Sequence, residues 1–293
     1  MPATGNKSYH PLSLSIRLRA DGFSFYVCDL QTSSLIRGEH FRLADSLSLA
    51  QQLSQELTRP DYFNRQIDQC FVLVCTPSTR VPLEEFHRDE AAALYNLTFT
   101  PSDDTGKQRV AYNILPQLEC AEIYAISSDV EEAILQFYPT ARFFASRAIL
   151  MERLLLLEED QPPQQRRLYV CSEADGYSLY AFDERRLCFA NTFHVASVPD
   201  ALYFVLNAWK QMQLDQQKDS LKLLTSHETF VPGGFSTDKS AQPDGRDEAL
   251  RQALGEYLLN VEVLAPTDVF PRVPLAREKQ VPVDLMALLL NRI

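Results

Sequence analysis

Apolar and polar positions alternate from Leu12 to Arg19, with Leu12, Leu14, Ile16 and Leu18 interleaved with Ser13, Ser15, Arg17 and Arg19. A period of two predicts a strand with one wet face. A second apolar run follows Ala20-Asp21-Gly22, and Asp-Gly between two such runs predicts a tight hairpin. With Asp21 and Gly22 as the loop, Ala20 faces Phe23, Leu18 faces Phe25 and Ile16 faces Val27, so the apolar positions share one side. A third strand is expected at 35–43 (LIRGEHFRL). A helix follows, in which Asp45 or Ser46 caps a run with Leu49, Ala50, Leu53 and Leu57 at helical spacing, ended by Pro60.

The pattern recurs. ADGFSFYVCD, Ala20 to Asp29, aligns without gaps on ADGYSLYAFD, Ala174 to Asp183, keeping Ala, Asp, Gly, Ser, Tyr and the final Asp. With Asp175 and Gly176 as the loop, Cys171 stands opposite Tyr180 and Tyr169 opposite Phe182. A third strand at 186–195 (RLCFANTFHV) and a helix at 198–212 capped by Ser197 follow, as in the first copy. Further on, DVEEAILQFY, ARFFA and SRAILMERLLLLEE read as helix, strand, helix. DEALRQALGEYLL, VEVLA and PVDLMALLLNRI repeat that order.

Each half therefore reads β-β-β-α-β-α-β-α, and the expected domains are 1–158 and 166–293, joined by the polar, Pro-containing segment 159–165. The first half carries an excess at about 77–119, expected as an inserted subdomain with a helix (HRDEAAALYNL) and a strand (RVAYNIL). The second half carries the polar segment FSTDKSAQPDGRD, expected as a loop.

Two such α/β units in tandem, ribonuclease H-like and with an insertion in the first, resemble the actin-like ATPase fold of actin, Hsp70 chaperones, sugar kinases and bacterial assembly proteins. The chain is also similar to a family of uncharacterised bacterial proteins with that fold. The resemblance implies phosphate-holding turns between the first two strands of each lobe, hence Asp21, Gly22, Asp175 and Gly176 as nucleotide-binding candidates. It also implies an adenosine-packing Gly-Gly, matched by Gly233 and Gly234 in TFVPGGFS. Neither turn shows an Asp-x-Gly followed by further Gly, Ser or Thr at phosphate-binding spacing. A phosphate cradle needs several converging backbone N–H groups, which a two-residue turn does not present.

Composition narrows the field. The net charge of -11 repels phosphate backbones, which argues against nucleic acid. No apolar run reaches signal-peptide or membrane-spanning length, so a cytoplasmic location is expected. The six cysteines, Cys28, Cys70, Cys75, Cys120, Cys171 and Cys188, lie mostly in apolar strand-like runs without CxxC or metal-ligand spacing, and read as reduced core thiols. A two-metal nuclease needs a carboxylate within its first strand. Leu12 to Arg19 holds none, and Glu173, ending the equivalent strand, faces Ser178 on an expected solvent side. The five histidines are scattered, and Glu84-Glu85, Glu131-Glu132 and Glu158-Glu159 read as solvated pairs.

No catalytic residue and no metal site emerges. The expectation is a non-catalytic actin-like module that binds a protein partner through its interlobe cleft or inserted subdomain. The alternative is a divergent ATP-binding or ATP-hydrolysing protein holding Mg-ATP through Asp21, Asp175 and Gly233-Gly234.

Overall fold

The computed structural model describes residues 10–59, 67–99, 107–173, 176–225, 244–271, 274 and 281–292. The chain forms two compact units, the first running to residue 148 apart from a short turn at 116–118, the second from 149 to 292. The first contains β1 (Leu12–Arg19), β2 (Gly22–Asp29), β3 (Ser34–Arg42), α1 (Leu49–Leu57), β4 (Gln69–Val74), β5 (Ser78–Pro82), α2 (Ala91–Thr98), β6 (Gln108–Leu115), β7 (Cys120–Ser127), α3 (Ser128–Phe137) and β8 (Arg142–Ala145). Helix α4 (Ser146–Glu159) carries the chain into the second unit. There follow β9 (Arg167–Glu173), β10 (Gly176–Asp183), β11 (Arg186–His194), α5 (Val198–Gln211), β12 (Ser220–Leu224), α6 (Asp244–Gly255), β13 (Val261–Leu264), α7 (Pro266–Val269) and α8 (Val283–Arg292).

The sheet orders are β3-β2-β1-β4-β8 and β11-β10-β9-β12-β13, each with three antiparallel strands followed by two parallel ones. One topology is written twice. The excess in the first half forms its own antiparallel sheet, β5-β7-β6, on which α2 packs through Ala91 and Tyr95 against Ile123 and Ala125. Strand β7, a member of this sheet, had no assignment from the sequence pattern.

Four local expectations are corrected. The hairpin partners are Arg19↔Gly22, Leu18↔Phe23, Ile16↔Phe25 and Leu14↔Val27, so the loop is Ala20–Asp21 and Gly22 begins β2. The second hairpin pairs Glu173↔Gly176, Cys171↔Ser178 and Tyr169↔Tyr180, the same displacement. The glycine answers to the third strand rather than to the turn: a Cβ on Gly22 would meet the Phe41 carbonyl oxygen at 2.1 Å, and one on Gly176 the Phe193 oxygen at 2.0 Å. The two-residue turn with positive φ at both positions is Glu184 (47°) and Arg185 (66°), between β10 and β11.

Helix α1 is capped by Ser48, in a reciprocal capping box with Gln51, instead of by Asp45 or Ser46. Strand β1 has no wet face, because Ser13 and Ser15 are fully buried and Arg17 is 4% exposed. A strand in the middle of a sheet covered on both sides alternates between two interiors, and its small polar residues mark the second of them. Helix α6 begins at Asp244, inside the segment expected as loop.

In the second unit, Leu168 and Val170 of β9, Leu221 and Leu223 of β12, Val205 and Trp209 of α5, and Leu250 and Leu254 of α6 build one core. Four of the six cysteines are buried and Cys188 is exposed. Burial pushes the Cys28 and Cys70 thiols up to about 12, which leaves them protonated and unreactive at neutral pH.

Candidate functional site

The second hairpin carries the densest polar cluster near a predicted site residue. At the start of α6, Arg246 directs one guanidinium nitrogen, Nη2, at the hairpin and donates to Glu173 O (2.6 Å), Ser172 Oγ (3.2 Å) and Gly176 O (3.4 Å). Its guanidinium carbon lies 4.8 Å from the centroid of the Tyr177 ring. The next residue, Asp247, is buried and accepts from the Ser172 and Tyr177 hydroxyls, both at 3.0 Å on Oδ1. Burial first, and then the Asp247 carboxylate, push the Tyr177 phenol well above its usual range. Helix, strand end and turn are thereby tied together by charge-assisted bonds.

The polarity of this arrangement is the reverse of a phosphate cradle. Two backbone carbonyls of the hairpin face a guanidinium, whereas an anion requires converging N–H donors. The first hairpin is closed differently. The Asp21 carbonyl accepts from Leu43 N at 2.9 Å, and the Asp21 carboxylate, 42% exposed, accepts from Arg19 Nε at 2.9 Å. Of the predicted candidates, the structure thus locates Asp21, Gly22 and Gly176, the two glycines being strand residues held against β3 and β11. Asp175, Gly233 and Gly234 lie outside the described residues.

A cavity of about 530 Å³ opens at the C-terminal ends of β12 and β13 and the start of α6, lined by Leu223, Thr225, Asp247, Glu248, Gln252 and Val263 among others. Open α/β sheets place ligands at such strand ends. Its rim is acidic, and bonds from Arg251 and Gln252 hold the Glu248 carboxyl down to about 2. Among the described residues, no three His, Cys, Asp or Glu side chains converge as a metal site would require.

In the first unit, β3 carries a half-buried His40 facing β2. Ser24 Oγ lies 2.6 Å from His40 Nδ1 and Tyr26 Oη 3.1 Å from Nε2. Burial, with Arg17 and Arg19 nearby, lowers the imidazole from its usual 6.5 to about 4. The folded chain keeps His40 neutral while the unfolded chain protonates it below pH 6.5, so unfolding takes up a proton between those values. Stability is present above pH 6.5 and is lost as pH falls towards 4, with about 2 kcal/mol gone by pH 5. Urea midpoints at pH 7 and pH 5 should show His40→Gln losing that share of the pH dependence.

Arg246 and Asp247 escaped the sequence reading because they stood in a stretch read as loop. The usable signal was DGRDEALR, an acidic helix start ahead of an apolar run. Glu173 and Ser178, read as solvent-facing, are joined by a 2.9 Å hydrogen bond with Ser178 fully buried.

The family model described as "Protein of unknown function (DUF3822)" matches residues 6–230. The chain belongs to that family. No curated protein matches this DUF3822 member. Among solved structures, it is similar to a Bacteroides thetaiotaomicron protein with actin-like ATPase fold and unknown function, at 24% identity and a TM-score of 0.73, covering 96% of each chain. It is also similar to a chain of the PilM-PilN type IV pilus biogenesis complex, at 12% identity and a TM-score of 0.52, covering 95% of this chain and 98% of the other. The DUF3822 member has the actin-like ATPase fold, in agreement with the resemblance drawn from its repeat. Among its described residues, no helix is long and apolar enough to cross a membrane.

Proposed function

We propose that the protein is a non-catalytic actin-like module that works by binding a protein partner. The observation that carries this reading is the contact of Arg246 with the Glu173 and Gly176 carbonyls: at the second hairpin, where the fold's ATPases hold phosphate, these two carbonyls engage a side chain of the same unit. The carboxylates of Asp247 and Glu248 stand beside the Arg246 guanidinium and offset its charge towards a triphosphate. The β5-β7-β6 sheet, which among the described residues has no counterpart in the second unit, offers the contact surface. The similarity to a chain of a complex, PilM-PilN, supports a role in assembly.

One observation favours the second reading, a divergent ATP-binding protein using Asp21, Asp175 and Gly233-Gly234: the cavity of about 530 Å³ is of ligand-binding size and lies at strand ends. A thermal melt with and without millimolar Mg-ATP separates the two. Binding to the native state alone at 100 times Kd adds about 2.7 kcal/mol and raises the melting temperature by several degrees. The proposal expects an unchanged melting temperature, and a saturable rise would overturn it in favour of the second reading.

A further inference from the structure

A second cavity of the second unit, about 590 Å³, lies at the other end of its sheet from the hairpin that Arg246 reaches. It opens where β9 and β12 begin and α5 ends, and its volume is of ligand-binding size. One wall is built by hydrogen bonds within the chain. Arg166 donates to Met212 O at 3.3 Å, Gln213 O at 2.7 Å and the buried Asp219 carboxylate at 2.8 Å, which ties the end of α5 to the start of β9. Leu214 N donates to Trp209 O at 3.1 Å, and Gln213 takes the left-handed conformation, φ 53°, that commonly calls for glycine after a helix. A side chain is thus kept in the cavity lining where the backbone favours none. The floor is apolar: Trp209 and Leu214 are buried, Leu206 packs half-buried on the same core, and Tyr257 stands 51% exposed.

Two charges of opposite sign in this lining remain uncommitted. Arg166 and Asp219 neutralise each other as an ion pair. Lys210, exposed in the last turn of α5, makes no ion pair among the described residues. Asp215 turns Oδ1 to Gln217 N at 2.8 Å and Lys218 N at 3.2 Å, and among the described residues nothing bonds to its Oδ2. The Gln217 N–H above all, then the Lys218 N–H and the Lys218 and Arg166 cations, hold this carboxyl below its usual range, so it is ionised at neutral pH. We infer that this cavity binds a small zwitterion with an apolar body, an apolar amino acid or dipeptide. The carboxylate of the ligand faces Lys210, its ammonium faces Asp215 Oδ2, and its side chain covers Leu206, Trp209 and Tyr257. Charge and apolar surface select together. A lone anion gains Lys210 but meets Asp215, a lone cation meets Lys210, and a neutral polar molecule uses neither charge and covers the apolar floor with groups that lose their hydration.

The site stands apart from the partner-binding reading, and a Mg-ATP result of either sign leaves it untouched. Trp209 is the single tryptophan of the chain, so its emission reports on this cavity directly. L-Phenylalanine and leucyl-leucine, which leave tryptophan excitation unobstructed, are titrated in turn against the full chain. At least one is expected to change the emission saturably and to raise the melting temperature. Its N-acetylated form, without the cation, and its C-terminal amide, without the anion, are expected to bind at least about tenfold more weakly. Lys210→Gln is expected to weaken the parent ligand by a similar factor and to leave the amide form unaffected. Asp215→Asn, which retains an oxygen for the Gln217 and Lys218 N–H groups, is expected to do the same for the parent and the N-acetylated form. Binding of phenylalanine alone assigns the site to a free amino acid, and of leucyl-leucine alone to a dipeptide. The inference is overturned if neither ligand gives a saturable change up to about 10 mM, if either single-charge form binds as tightly as its parent, or if either variant binds the parent with wild-type affinity. Should a variant fail to fold, the comparison of the three ligand forms on the wild-type chain decides.

Discussion

Replacing Glu158 by alanine is expected to lower the unfolding free energy by about 3–5 kcal/mol, among the largest losses from a single side chain of this protein. Glu158 and Arg167 are both fully buried and joined by two parallel bonds of 2.7 Å, from Nε to Oε1 and from Nη2 to Oε2. The Tyr169 hydroxyl donates to the same Oε1 at 2.7 Å, and Arg167 Nη2 also reaches Pro162 O at 3.0 Å. Burial and the adjoining carboxylate hold the Tyr169 phenol well above its usual range, so it stays a donor. Glu158 sits at the end of α4, where the helix dipole disfavours a negative charge, which makes the guanidinium its main compensation. Removing the carboxylate strands a cation in the interior, together with an Nη1 that already has no partner among the described residues.

The same physics predicts an asymmetry. Each charge cost several kcal/mol to desolvate, so replacing both at once, Glu158→Leu with Arg167→Met, is expected to be neutral or stabilising by about 1–4 kcal/mol. Urea denaturation of the two single variants and the double variant forms a double-mutant cycle. A double variant as unstable as Glu158→Ala would refute the assignment of this pair as a desolvated, mutually dependent unit.

Gly176→Ala is expected to cost at least about 3 kcal/mol, and Gly22→Ala a similar amount. The new Cβ would lie 2.0 Å from Phe193 O at one site and 2.1 Å from Phe41 O at the other. Both obstacles are backbone atoms of the neighbouring strand, which cannot rotate away as a side chain would. At Gly22 the φ of 150° adds a conformation that L residues rarely adopt. Gly255→Ala, at the end of α6 with nothing within 4 Å of its Cβ, is the control and should change stability by no more than about 1 kcal/mol. Urea midpoints at constant m-value report all three. Alanine tolerated at Gly176 within about 1 kcal/mol would mean that β10 and β11 can separate, and would return the glycine to the turn.

These experiments bear on how much of the protein was legible beforehand. The repeat of Ala20–Asp29 in Ala174–Asp183 exposed the duplicated fold because strand alternation and hairpin dipeptides are local features, written within ten residues of each other. The Ser197 cap and the order of elements in the second half were readable for the same reason. The turn register was misjudged because Asp-Gly has two uses, and only the approach of Phe41 and Phe193 from a third strand chooses between them. The wet face assigned to β1 failed likewise. Alternation reports that two sides differ, while the covering of both is a property of the assembled sheet.

The candidate site was legible only in part. Asp21 lies in the first hairpin loop and Gly22 and Gly176 begin the strands that follow, while the groups that decide the chemistry of the second hairpin are Arg246 and Asp247, some seventy residues further along the chain. No period or motif within Asp244–Gly255 says which turn an arginine will reach. The amino-acid sequence by itself determined the duplication, the strand and helix order and the acidic balance, since each follows from local propensity or composition. The tertiary structure alone decided the register of the hairpins, the buried Glu158–Arg167 pair and the polarity of the hairpin facing Arg246. Those depend on which distant groups are brought within hydrogen-bond distance once the chain has closed on itself.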